Sequence, residues 1–349
     1  MKNKRLIYFD ILKIVCTFLV IFNHSHWYIV DNNRYVTLFH LGFFNICKIA
    51  VPIFLMITGS LMLNREVTYA EILKKRIPRV YMGLLISTIF GCFFYKLDFG
   101  KTILMSFFGG QTSRLYWLWY IYLLVSLYLL TPFIKSFIRN YKDKDFENFI
   151  ILFIFLPSSI YFVSNFYELA LCKYKMIDNI FYQLLYLTYI GYYVFGYYVS
   201  NKKISDAMKN KSIRFFLIFF VEGFIYLIIG YLNNYKVIEL FNNSLPIAIM
   251  SCSFFIFIKY YFVNFNCSER ISKFIILLSD STFGIYLFHL YLIEFLFKRN
   301  IFIKLFSINS IVGTFSLMMI VYIVLTFLFY FLKKIPFLNK IFWLLFLVI

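Results

Sequence analysis

The sequence predicts an all-α polytopic membrane protein with about ten transmembrane helices and both termini in the cytoplasm. Three observations carry this reading. Of the 349 residues, 62% are hydrophobic, where soluble domains are about half apolar, and the mean hydropathy is +0.79. Apolar runs near the roughly 20 residues needed to cross a bilayer recur along the chain. Lys and Arg are distributed unevenly between alternate loops. With the N-terminus inside, 23 of the 35 fall on inner segments and ten on outer ones, while Lys13 and Lys48 lie within spans. That excess sets the orientation.

The expected spans are 7–30, 40–63, 79–97, 115–137, 148–165, 180–200, 214–232, 243–262, 274–297 and 308–332. The first follows Met1-Lys-Asn-Lys-Arg5, as a signal sequence would. It is long, contains Asp10 and Lys13, and lacks a small-residue cleavage site, so it reads as a retained span. The eighth is the most interrupted by polar residues. Short connections point to one integral domain over 1–334, with 96–114 and 166–179 the longest outer loops. The apolar piece 335–349 is too short to span comfortably and is expected along the interface.

The formal charge of +19 first suggests a nucleic-acid partner. Its placement in short loops between apolar runs argues for topology instead, so no nucleic acid is expected. The six cysteines show no close-paired spacing, which gives neither a metal site nor a disulfide framework.

Chemistry inside the bilayer is signalled by charge that is costly to keep there. Lys13 and His24 are eleven residues apart, which returns a helix to within about 20° and separates them by about 16 Å along the axis. Asp10 and Lys13 are three apart and can share a face. Histidine takes and returns protons near neutral pH. The plainer alternative has Lys13 snorkelling to the inner surface and His24 and His26 marking the outer interface. His26 points about 200° from His24 and serves as an internal control.

Five stretches in order resemble the acyltransferase 3 family of membrane acyltransferases. Lys13-x10-His24 is similar to the Arg/Lys-x10-His motif of its first helix. Val51-Pro-Ile-Phe-Leu-Met-Ile-Thr-Gly59-Ser resembles its second-helix signature, and Lys75-Arg76-Ile-Pro-Arg79 its Arg-x-x-Arg element. The run from Trp119 to Pro132 resembles its fourth-helix segment. Ser281-Thr-Phe-Gly284-Ile-Tyr286-Leu-Phe-His289 is similar to its Ser-x-Gly-Ile-Tyr-Leu-x-His run. In one departure, Trp117 stands where relatives often carry a histidine.

The resemblance implies transfer of an acyl group, usually acetyl, from cytoplasmic acyl-coenzyme A to a hydroxyl on an envelope polysaccharide or lipid-linked glycan. The expected setting is the bacterial cytoplasmic (inner) membrane. Acyl-CoA would be a co-substrate rather than a bound cofactor, and no metal is expected. His24 would be the general base, with Asp10 or Lys13 positioning the helix face or the pantetheine end. Arg76 and Arg79, three apart, would clamp donor phosphates; ordinary inside-positive anchoring is the alternative. Ser281, Tyr286, His289, Glu222 and Glu294 are candidates for a channel or acceptor site, or for packed helix contacts. Lys48 has the same ambiguity. The competing class is a proton-coupled transporter using Asp10, Lys13, Glu222 and Glu294.

Overall fold

The computed structural model describes residues 5–25, 34–110, 114–171, 179–233, 244–299 and 309–335. These residues form helices and connections, with no strand among them. In chain order the first helices are α1 (Ile7–Ser25), α2 (Arg34–Cys47) and α3 (Ala50–Leu63). Next come α4 (Tyr69–Tyr95), α5 (Phe99–Phe107) and α6 (Trp119–Ile138). Helix α7 runs from Asp143–Ile150 through a π turn into Leu156–Leu171, and is followed by α8 (Asn179–Asn201) and α9 (Asp206–Leu232). The last are α10 (Leu245–Phe262), α11 (Glu269–Asp280), α12 (Thr282–Lys298) and α13 (Ser310–Lys334).

Among the described residues, eight helical segments are long and apolar enough to cross a membrane, or nine with α11 and α12 as one bent span. The chain is a multi-pass membrane protein. The expected sixth span is present as α8, 23 residues long, but its seven tyrosines lower its apolarity. The expected interfacial piece 335–349 lies outside the described residues except for Ile335.

Several expected helices differ in detail. The second span runs as one segment over Val36–Leu63, with a turn at Lys48–Ile49 between α2 and α3, just before Pro52, whose missing N–H suits a helix start. The third begins ten residues early, at Tyr69, and contains a π turn over Ile72–Arg76. The expected outer loop 96–114 contains α5, capped by Asp98, whose carboxylate accepts from the Lys101 amide at 2.6 Å. The ninth span bends by 56° between α11 and α12. Ser281 sits at this joint, its hydroxyl donating to the Leu277 carbonyl at 3.0 Å.

The described residues pack as two interleaved units. Unit 1 holds α1, α2, α3, α7, α8, α9, α10 and the start of α11. Unit 2 holds α4, α5, α6, the rest of α11, α12 and α13.

In unit 1, α3 and α8 pack backbone to backbone. Gly59 lies against the Tyr193 carbonyl, and Gly196 against the Met56 carbonyl. Small residues let membrane helices approach this closely, which explains Gly59 within the second-helix signature. Gly59→Ala or Gly196→Ala would drive a methyl into backbone that cannot rotate away. Each is expected to cost about 3 kcal/mol, read as a lowered thermal midpoint in detergent; an unchanged midpoint would contradict the packing. The same unit buries Lys259, which is 5% exposed. Its ammonium donates to the carbonyls of Val199, Ser200 and Lys202 at 2.6, 2.9 and 2.5 Å, satisfying the C-terminal end of α8.

Unit 2 is knitted by polar contacts across its helices. Ser87 on α4 donates to the Leu287 carbonyl at 3.0 Å, and the Tyr291 hydroxyl donates to the Ser87 carbonyl at 2.7 Å. Gly91 leaves room for Tyr291 and Leu115.

Candidate active site

The first-helix residues lie in unit 1. Asp10 is 2% exposed and is gripped by Arg5, whose Nε and Nη2 donate to its two carboxylate oxygens at 2.8 and 2.6 Å. This fork fixes both partners and anchors the chain where it enters α1. The carboxylate expected near Lys13 is therefore held by a residue ahead of the helix. Lys13 is 8% exposed, so its side chain is buried among packed residues. The Thr17 hydroxyl donates to the Lys13 carbonyl at 2.8 Å. His24 lies in the last turn of α1 and is half-buried. The side-chain oxygen of its neighbour Asn23 is buried without a hydrogen-bond partner. The control His26 lies outside the described residues.

His40 on α2 was not singled out from the sequence, yet it belongs to this end of unit 1. Its ring stacks on Phe22, two residues before His24, with centroids 5.8 Å apart. The available signal was that His40 opens the expected second span, since an imidazole at a bilayer boundary has the same proton-handling chemistry as His24. Glu222 on α9 is half-buried and makes no hydrogen bond or ion pair among the described residues.

The two arginines lie in unit 2. Arg76 closes the π turn, and Arg79 follows in the first turn of the regular helix. Helix α6 packs on the π turn and carries the buried Tyr128. The Arg76 side chain is only 12% exposed. Its contact with Glu71 is long, at 3.3 Å, and its Nε is buried without a hydrogen-bond partner. Lys74 and Lys75 on the same turn are exposed. One widened turn thus separates two solvated lysines from a largely buried arginine. π turns are frequent at functional sites.

The late-chain motif also folds in unit 2. His289 is fully buried. Its Nδ1 lies 2.8 Å from the Tyr286 carbonyl and 3.2 Å from that of Ile285. Carbonyls only accept, so Nδ1 carries the proton and, in the neutral ring, Nε2 carries the lone pair. The Tyr286 hydroxyl donates to the Trp117 carbonyl at 2.6 Å. Trp117 donates from Nε1 to the Leu287 carbonyl at 3.4 Å and sets its ring edge toward His289. Glu294 accepts from the Tyr95 hydroxyl at 2.7 Å and pairs with Lys298 at 3.5 Å. Ser281 serves the α11–α12 joint through its own backbone contact. No group of three or more His, Cys, Asp or Glu able to hold a metal occurs among the described residues.

Residues 6–332 match the acyltransferase domain model of acyltransferase 3. The chain belongs to the acyltransferase 3 family. Neither a curated protein nor a solved structure matches it. In this membrane acyltransferase the indole of Trp117, rather than an imidazole, fills the slot before the fourth-helix segment. It supplies a hydrogen-bond donor and bulk at that position, and no basic nitrogen.

Proposed function

We propose that the protein moves an acyl group, acetyl in the usual case, from cytoplasmic acyl-CoA to a hydroxyl of an envelope polysaccharide or lipid-linked glycan. The observation that carries the donor half is Arg76. A guanidinium with a buried, unfilled Nε beside a second arginine suits a phosphate, which takes two parallel N–H bonds. Coenzyme A presents several phosphates. Lys74 and Lys75 would draw it from the inner surface, and Arg76 and Arg79 would hold it.

For the acceptor half, the hydroxyl oxygen attacks the thioester carbon while His24 removes the hydroxyl proton. The carbon–sulfur bond breaks, coenzyme A leaves as its thiolate, and the proton on His24 returns to that sulfur or to water. Lys13, buried about 16 Å away along α1, marks the donor side of the path, and Asp10 holds the helix entry through Arg5. The bent span at Ser281 would also suit a transporter. The family match over 6–332 favours acyl transfer. We place the protein in the bacterial cytoplasmic membrane with both termini inside.

Mass spectrometry of envelope glycans from cells with and without the protein tests the reading as a whole. Loss of an acyl mass increment on deletion is expected, and identical glycans in both strains would rule it out. The donor half has its own test. Arg76→Ala combined with Arg79→Ala should weaken acyl-CoA binding by about 100-fold, since each charge-assisted bond is worth about 1.5–3 kcal/mol. Unchanged donor affinity in the purified double variant would remove the phosphate clamp.

A further inference from the structure

A groove in unit 1 has no part in the proposed chemistry. It measures about 520 Å³, within the range of ligand pockets. Its walls come from α7, α8, α9 and α10 and are almost wholly apolar. Leu245, Ile249, Cys252 and Ile256 line it from one face of α10, at successive spacings of four, three and four residues. From Leu245 to Ile256 a helix advances about 16 Å, close to half of the roughly 30 Å hydrocarbon core. That run is long enough to hold much of one acyl chain.

One end of the groove is basic. Phe216 meets Phe254 at 5.9 Å and Lys209 lies over the Tyr260 ring at 4.9 Å, so α9 and α10 run antiparallel. Lys211 on α9 therefore lies at the Ile256 end. It lines the groove, is exposed, and makes no ion pair or hydrogen bond among the described residues. The first turns of the 27-residue α9 add the partial positive charge of a helix N-terminus. The nearby carboxylate of Asp206 is already engaged by the Tyr260 hydroxyl and by Lys209. An apolar channel about 16 Å long, with an uncommitted ammonium at one end, matches a hydrocarbon chain carrying an anionic phosphate.

The geometry points to a binding site for an anionic membrane phospholipid, with one acyl chain between α9 and α10 and its phosphate at Lys211. The site stands apart from the acyl-transfer reading. Surrounding lipid meets the protein chiefly through hydrophobic contact, and its head-group preference follows the general basic charge of the membrane surface rather than one groove. A seated lipid is selected at the groove.

The test uses the full-length protein in nanodiscs containing a phosphatidylglycerol with a photoreactive group on its chain. A phosphatidylcholine probe with identical chains is run in parallel. Labelled peptides are mapped by mass spectrometry. The glycerol probe is expected to label 208–215 and 245–256 in preference to the choline probe. Lys211→Glu should lower that labelling about tenfold, because reversing one charge beside an anionic head acts directly on its attraction. Ile249→Trp, which fills the groove, should reduce labelling by both probes there and spare the lipid-facing Leu217 and Ile218. Equal labelling by the two probes in the wild-type protein would overturn the site, as would a preference that survives Lys211→Glu. Labelling spread evenly over Leu217, Ile218 and the groove would show annular lipid only and would also overturn it. Lys211 is exposed, so Lys211→Glu decides the matter even if the tryptophan variant fails to fold.

Discussion

Replacing His24 with alanine is expected to lower acyl transfer by about 10²–10⁴-fold, the usual contribution of a positioned general base. Acyl-CoA affinity should stay near that of the parent protein, because the proposed donor clamp at Arg76 and Arg79 belongs to a different helix. His24 is half-buried in the last turn of α1, where alanine is a good helix former. Membrane insertion and thermal midpoint should therefore be preserved, which separates lost chemistry from lost folding. His26→Ala is the matched control and should retain activity. Turnover is measured with radiolabelled acyl-CoA on membranes adjusted to equal protein. Normal acylation by His24→Ala together with loss in His26→Ala would transfer the role to the neighbouring histidine. Partial loss in His24→Ala with a comparable loss in His40→Ala would instead divide proton handling between the two imidazoles at this end of unit 1.

Lys259→Met is expected to destabilise the protein by about 3–5 kcal/mol, the cost of removing one partner from a buried charged contact. Methionine fills much of the lysine volume, so the loss is electrostatic rather than a cavity. Three carbonyls at the end of α8 lose their donor together, and α8 loses its tie to α10. Lys259→Arg keeps the charge but carries its donors in a planar fork, so it should recover only part of the stability. Midpoints from fluorescence-detected size-exclusion after heating give the measurement. A Lys259→Met protein with the parent's midpoint would show that water replaces the ammonium freely.

Much of the fold was legible because lipid imposes a simple rule. Backbone groups in hydrocarbon must be satisfied within a helix, so long apolar runs became helices. The breaks were less visible. Lys48 and Pro52 stood in plain view, but an apolar window averages over an interruption at Lys48–Ile49. The π turn over Ile72–Arg76 changes no hydropathy at all, although it separates the buried Arg76 from its exposed lysine neighbours. The site divided in the same way. Asp10, Lys13, His24 and Arg76 stand out as charge in costly places, and each occupies a packed or partly buried position. Tyr128 could not stand out, as one of 30 tyrosines, and its burial arises from the packing of α6 in unit 2. Lys259 was counted among the inner anchoring charges, and only the three-dimensional path of α8 reveals it as a helix cap.

The seam between α3 and α8 bears on how this chain can vary. Every amino acid other than glycine carries a Cβ, and at Gly59 and Gly196 that atom would collide with the opposing main chain. No compensating exchange on the partner helix can make room, because the obstacle is backbone common to all residues. These two codons are consequently closed to drift, whereas the lipid-facing row of Leu217, Ile218, Val221 and Ile225 on α9 asks only for apolarity. A saturation library would separate them sharply, with depletion of all replacements at the glycines and free exchange among aliphatic residues along α9.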